Sequence, residues 1–131
     1  MDQLEIEHYL TDFQKGSFPE FIDRVLTVPP SRRITVIIGP RRAGKSTYLF
    51  QIMKKLLDKG IPKDNLIYLN LENTKLVGLT FKEIPKVVLL HQKLFLSRGR
   101  PTLFLDEPQS VPNWEKAVRE LYDGGHLIFI T

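Results

Sequence analysis

The stretch from Gly39 to Ser46 reads Gly-Pro-Arg-Arg-Ala-Gly-Lys-Ser, a full match to the pattern GxxxxGK[ST]. It follows an apolar run at 34–38 and precedes a helical pattern, and a strand–loop–helix context is what this pattern needs to bind phosphate. Glycines at both ends of the stretch let backbone N–H groups approach anionic oxygens without side chains in the way. The stretch therefore predicts a loop that wraps a polyphosphate.

Two side chains at the end of this loop have distinct chemical tasks. Lys45 would bring an ammonium group to the β and γ phosphates, and Ser46 would offer a hydroxyl to a Mg²⁺ ion that contacts phosphate oxygens. The first turn of the following helix adds N–H groups and a favourable dipole. We predict a nucleoside triphosphate as the ligand and Mg²⁺ as the metal. The predicted nucleotide-binding residues are Gly39, Pro40, Arg41, Arg42, Ala43, Gly44, Lys45, Ser46 and Thr47.

Asp106 and Glu107 form an adjacent pair of acids directly after the apolar run 102–105. The carboxyl ends of strands are where ligands gather in open α/β sheets. Asp106 would hold the Mg²⁺ through its water shell together with Ser46, and Glu107 would act as general base on the attacking water. Because successive strand residues point to opposite faces, the two acids would divide these tasks unless the strand ends at Asp106. An ordinary acidic strand end is the alternative.

Hydrolysis is favoured over phosphotransfer to a small molecule, because the sequence shows neither an arginine-bearing lid nor an acceptor pocket. Arg41 and Arg42 could stabilise charge in the transition state, and contact with solvent or a neighbouring domain explains them equally well. With Arg32, Arg33 and Lys45, they crowd basic charge around the loop.

Apolar spacing predicts the elements that position these residues. Four buried strands are predicted at 34–38, 66–69, 102–105 and 127–130. Five helices are predicted. The first ends before Gly16, which can end a helix in the left-handed conformation, and the second runs from a capping box at Ser17 to Pro29. The others run from the loop to Gly60, from a capping box at Thr80 to Gly99, and from an Asn113 cap to Gly124. His91, on the fourth helix, is interpreted as a core residue rather than a ligand.

The composition indicates an ordinary globular protein. Its 131 residues suit one domain, with a helical segment at 1–30 and an α/β nucleotide-binding core at 31–131. Forty-two per cent of residues are hydrophobic, and the net charge of +4 comes without a dense basic tract, so nucleic-acid binding is permitted and not indicated. Cysteine is absent, no run is long enough for a membrane span, and the acidic start is unlike a signal peptide. We therefore expect a cytoplasmic protein without membrane contact.

Four segments together resemble a known family: IIGPRRAGKS, LIYLNLE, LFLDEPQSVPNWE and IFIT. They are similar to archaeal and bacterial AAA-like ATPases with a GPRRxGK[ST] loop and a DExQ segment, over about residues 17–131. The resemblance implies ATP and Mg²⁺, with Lys45, Ser46, Asp106 and Glu107 in the roles given above. Pro108 departs from the aliphatic residue more usual in that family, and would stiffen the chain after Glu107.

The resemblance also implies a strand order of fifth, first, fourth, third, second in a three-layer P-loop sheet. The strand ending at Thr131 would then lie between the loop strand and the Asp106 strand, and Thr131 would approach the γ-phosphate as a sensor. Asn70 or Glu72, at the end of the second strand, would orient Glu107, and an ordinary polar strand end is the favoured alternative.

Because the fourth predicted strand is the last element in the sequence, we expect it to lack the fifth strand, the helical lid and the effector domain that the resemblance implies. The strand at 34–38 would therefore be an edge, which predicts a shortened ATPase core or self-association. Two functions stay open: an ATPase that acts on a protein or DNA effector, and an ATP-dependent switch with little turnover.

Overall fold

The computed structural model describes residues 2–18, 33–37, 44–96 and 99–131 of the chain. Its centre is a parallel sheet of four strands in the order β1-β4-β3-β2. The strands are β1 (Ile34–Val36), β2 (Leu66–Asn70), β3 (Thr102–Asp106) and β4 (Ile128–Ile130). The α/β class and this order confirm the sequence prediction, and β4 lies between the loop strand and the strand that ends at Asp106.

Helices cover both faces of the sheet. They are α1 (Gln3–Lys15), α2 (Lys45–Asp58), α3 (Ile84–Phe95) and α4 (Trp114–Asp123). Alternate strand residues such as Leu103 and Leu105 pack in one core with α1, α3 and α4. On the other face Phe104 stacks on Phe129, with 5.1 Å between ring centroids, and packs in a second core that contains Leu49 of α2. No helix in the described ranges is long and apolar enough to cross a membrane.

Helix α1 covers the outer edge of β2 with side-chain hydrogen bonds. The Tyr9 hydroxyl donates to the backbone carbonyl of Tyr68 at 2.8 Å and accepts from the N–H of Asn70 at 2.9 Å. The Gln14 amide donates to the carbonyl of Leu66 at 3.1 Å. These contacts satisfy backbone groups that an uncovered strand edge would expose.

Strand β1 differs from its prediction. It is three residues long, its side chains are half-buried or exposed, and Val36 is 55% exposed. The expectation of a strand buried throughout 34–38 was therefore wrong. Within the described residues β1 pairs with β4 alone, so one of its sides has no strand to pack beside. Ile37 continues the pairing with an N–H bond of 2.7 Å to the carbonyl of Ile130.

Three helix ends also differ from expectation. Gly16 closes α1 with φ −76°, outside the left-handed region, and a Cβ there would meet the carbonyl of Asp12 at 2.9 Å, so close approach explains this glycine. Glu83 accepts a hydrogen bond from the N–H of Thr80, as in a capping box. The residues between them form a turn that is not part of the helix, and α3 begins at Ile84, directly before Pro85. Asn113 precedes α4 without a side-chain capping bond.

The predicted helix from Ser17 to Pro29 lies outside the described residues beyond Phe18. His91 is fully buried, with its ring 4.8 Å from that of Phe95, which confirms that it belongs to the core.

Candidate active site

Helix α2 begins directly at the predicted phosphate-binding lysine. Gly44 precedes it with φ 80° and ψ 26°, a left-handed conformation that glycine adopts without the steric cost of a side chain. Lys45, Ser46 and Thr47 form the first turn and are partly buried. The rest of the predicted loop, Gly39 to Ala43, lies outside the described residues. The first turn of α2 thus presents the lysine and the serine hydroxyl from one fixed helix end.

Asp106 is the last residue of β3 and is only 1% exposed. The hydroxyl of Ser46 donates to its Oδ2 at 2.6 Å, and the hydroxyl of Thr131 donates to its Oδ1 at 2.9 Å. The donors come from the start of α2 and from the residue after β4. The structure therefore brings together both predicted metal residues and the predicted sensor residue.

Glu107 leaves the strand in an unusual conformation. Its φ of 54° and ψ of 53° are left-handed, which is uncommon for a residue with a side chain and costs about 1–3 kcal/mol. Its N–H donates to the hydroxyl of Thr131 at 3.1 Å, and Pro108 starts a short 3₁₀ turn directly after it. Strained backbone of this kind clusters at functional sites. The strand ends at Asp106, so the two acids do not follow the alternation of an extended strand.

The side chain of Glu107 is engaged by its own turn. The amide of Gln109 donates a hydrogen bond to Glu107 Oε2. Asn70 accepts from the N–H of Glu72 at 3.1 Å, as a polar residue at a strand end commonly does. Asn70 and Asp106 are register partners in neighbouring strands. The suggestion that Asn70 or Glu72 orients Glu107 stays a prediction.

Tyr68 is a site residue that sequence reasoning missed. It lies on β2, and its hydroxyl donates to Asp106 Oδ2 at 2.6 Å, the same oxygen that Ser46 contacts. Burial is the largest cause that raises the pKa of the Tyr68 phenol above its ordinary value, and the hydrogen bond to Asp106 raises it further. The phenol therefore stays protonated and acts as a donor. An aromatic residue in an apolar strand is usually a core residue, so the sequence alone carried no signal for this contact.

The surroundings of Asp106 fit a divalent cation bound together with phosphate. In the described parts of the chain, the hydrogen bonds to its side-chain oxygens come from the neutral hydroxyls of Ser46, Tyr68 and Thr131. Burying a carboxylate without a cation is costly. The described residues include no cluster of three or more acidic, histidine or cysteine side chains. Magnesium commonly binds through one or two protein oxygens plus phosphates and water, which agrees with this set.

The parallel sheet, the helix beginning at Lys45 and the buried acid at the end of β3 define an α/β domain of the P-loop NTPase type. The family model described as an AAA domain, AAA_14, matches residues 31–131, and the chain belongs to this family. Membership indicates nucleotide binding of the ATPase kind.

Two proteins similar to this chain are considerably longer than it is. Uncharacterized protein MJ1544 of Methanocaldococcus jannaschii is 43% identical over 100 residues, which cover 76% of this chain and 21% of that protein. An uncharacterized protein of Haemophilus influenzae is 30% identical over 101 residues, which cover 77% of this chain and 25% of that protein. The chain thus spans about a fifth to a quarter of the length of these curated relatives. No solved structure matches the chain.

Proposed function

We propose that this chain binds ATP with Mg²⁺ and hydrolyses it, and that hydrolysis drives or times an action on a partner or effector domain. The observation that carries the proposal is the meeting of Ser46, Asp106 and Thr131 at the carboxyl end of the sheet. Glu107 follows Asp106 directly and shares the Thr131 hydroxyl. Members of the same family share the nucleotide-binding domain, which supports ATP as the ligand.

Each residue has a separate task in this proposal. Lys45 and the loop before it bind the β and γ phosphates, and Ser46 and Asp106 hold the Mg²⁺. Magnesium, when bound, supplies positive charge to the phosphate oxygens. Glu107 accepts a proton from a water whose oxygen attacks the γ-phosphorus, while the bond from that phosphorus to the ADP oxygen breaks. The Thr131 hydroxyl holds the Asp106 carboxylate and the backbone N–H of Glu107 in fixed positions relative to each other.

A calorimetric titration with ATP, GTP and ADP, each with Mg²⁺ and with EDTA, tests the binding step. We expect ATP and ADP to bind, and ATP to bind more tightly with Mg²⁺, because Ser46 and Asp106 would hold the metal ion that accompanies the triphosphate. Equal ATP affinity in both buffers would remove the metal site from the proposal. A protein that binds none of the three nucleotides would contradict the whole proposal.

The Gln109–Glu107 hydrogen bond favours a second function, an ATP-dependent switch with little turnover. The Gln109 amide hydrogen-bonds to Oε2 of Glu107, so a water molecule has to compete with this amide for that carboxylate oxygen. If the switch is correct, ATP binds without phosphate release above background, and Gln109→Ala raises the release. If the hydrolase is correct, the unaltered protein already releases phosphate with Mg²⁺.

A further inference from the structure

The hydroxyl of Tyr68 belongs to the hydrogen-bond network of Asp106. Oδ2 of this carboxylate accepts from Ser46 and Tyr68, both at 2.6 Å, and Oδ1 accepts from Thr131 at 2.9 Å. Three elements, α2, β2 and the end of β4, therefore hold the two oxygens of one buried side chain. A carboxylate restrained at both oxygens has little freedom to rotate.

Packing fixes the position of the Tyr68 hydroxyl. The Tyr68 ring contacts two aromatic rings, Phe50 of α2 at 4.9 Å between centroids and Phe13 of α1 at 5.8 Å. The backbone beneath it is held as well, since the Tyr9 hydroxyl accepts from the N–H of Asn70 and donates to the carbonyl of Tyr68. The phenol thus donates from a rigid support rather than from a mobile side chain.

The Ser46 hydroxyl would have two tasks in the proposed complex, because its oxygen would ligate the metal while its O–H donates to Asp106. The Tyr68 hydroxyl lies outside the predicted ligand set and would have only the second task. Residues that hydrogen-bond a metal-binding carboxylate orient it, and their loss commonly costs about 10–100-fold in metal affinity.

We propose that Tyr68 is a positioning residue, which holds the Asp106 carboxylate in the orientation that receives Mg²⁺ from a nucleotide–metal complex. This inference rests on the proposed function, because it concerns the same metal site. If Tyr68 has this role, the magnesium dependence of ATP binding depends on a residue of β2. It also depends on helix α1, because Phe13 of α1 contacts the Tyr68 ring.

The test compares ATP affinity in Mg²⁺ with ATP affinity in EDTA, which is a binding ratio and needs no turnover. Tyr68→Phe keeps the ring and removes the hydroxyl. We expect the ratio to fall about ten-fold or more, while affinity in EDTA stays within about two-fold. Tyr122→Phe, on the distant helix α4, is the matched control and should keep the ratio of the unaltered protein. Tyr68→Met is a second variant without the hydroxyl that fills the space with a flexible apolar chain.

The outcomes separate this inference from the function on which it rests. A lower melting temperature with an unchanged ratio would show a merely structural role for Tyr68 and would overturn the inference. If the unaltered protein binds ATP more tightly with Mg²⁺ and Tyr68→Phe shows the same ratio of affinities, the inference is overturned and the proposed function stands. An unaltered protein without any ATP binding would overturn the proposed function and the inference with it.

Discussion

Thr131 and Asp106 stand at the ends of neighbouring parallel strands, and the hydroxyl of Thr131 donates to Asp106 Oδ1 at 2.9 Å. The same hydroxyl accepts the N–H of Glu107 at 3.1 Å. One short side chain thus fixes the predicted metal-binding carboxylate and the backbone of the predicted base. Any change at Thr131 is expected to act on both.

Thr131→Val removes the hydroxyl and keeps the shape of the side chain. We expect phosphate release to fall about ten-fold or more, because Asp106 and the turn at Glu107 lose a shared restraint. Affinity for ATP in EDTA should change little, since that binding depends on the phosphate loop. Steady-state phosphate release and ATP titration measure the two effects. Thr74→Val, at an exposed position, is the control, and equal turnover in both variants would remove Thr131 from the site.

Lys45→Ala should weaken ATP binding itself. The ammonium group at the start of α2 interacts with the β and γ phosphates in the proposed complex, and charge-assisted contacts of this kind contribute about 1.5–3 kcal/mol, or roughly ten- to hundred-fold in affinity. ATP titration by calorimetry gives the dissociation constants. Lys59→Ala removes the same charge from the exposed end of α2. If both variants bind ATP as the unaltered protein does, Lys45 is not a phosphate ligand.

Tyr9→Phe tests the cover over the edge of β2. The change removes the hydroxyl that serves Tyr68 and Asn70, and leaves two backbone groups without their partner. Unfolding free energy should fall by about 1–3 kcal/mol, the usual cost of unsatisfied buried polar groups. Urea denaturation measures it, with Tyr122→Phe as the control on α4. Equal stability of Tyr9→Phe and the unaltered protein would show that water hydrogen-bonds these two backbone groups as well as the Tyr9 hydroxyl does.

His91 predicts a pH dependence of stability. Burial lowers its pKa below the ordinary value of 6.5, and its Nε2 lies 2.7 Å from the carbonyl of Asp64, which fixes a neutral ring that donates there. As pH falls below about 6.5, the unfolded chain binds a proton that the folded chain does not, so the free energy of unfolding decreases. The contribution of His91 to the free energy of unfolding is therefore fully present above about pH 6.5. It is lost as the pH falls toward the lower pKa that His91 has in the folded protein.

The variant that checks this is His91→Gln, whose amide can still donate to the carbonyl of Asp64. Urea unfolding between about pH 7 and about pH 5 should show a shallower decline in the variant than in the unaltered protein. His8→Gln, at an exposed position on α1, should keep the original decline. Identical pH profiles for His91→Gln and the unaltered protein would refute the role of His91.

The strand order and the meeting of Ser46 with Asp106 could be predicted from the sequence. Apolar runs locate parallel strands, and a family resemblance orders them, so residues at the carboxyl ends of those strands must come together. Thr131 was predicted on the same basis. The division of the chain near residue 30 stays a prediction, because the residues around it are not described.

Hydroxyl partners and local backbone conformations could not be predicted in the same way. Tyr9 and Tyr68 stand at positions where helical or strand spacing predicts core packing, and nothing in that spacing shows which polar atom a phenol will meet. The left-handed conformation of Glu107 depends on the chain leaving β3 toward Pro108, and strand periodicity ends there. The β-branched residues at 34–38 predicted a buried strand, whereas β1 has three residues and pairs with β4 alone among the described residues.

ATP hydrolysis with Glu107 as the base is tested by measuring phosphate release from ATP by the unaltered protein and by Glu107→Gln, each with Mg²⁺ and with EDTA. We expect release that requires Mg²⁺, and a loss of about 10²–10⁴-fold in Glu107→Gln while ATP binding is retained, since a general base commonly contributes that much. Glu115→Gln, at an exposed position on α4, should release phosphate at the original rate. Undiminished release by Glu107→Gln, or release that is equal in EDTA, would contradict this mechanism.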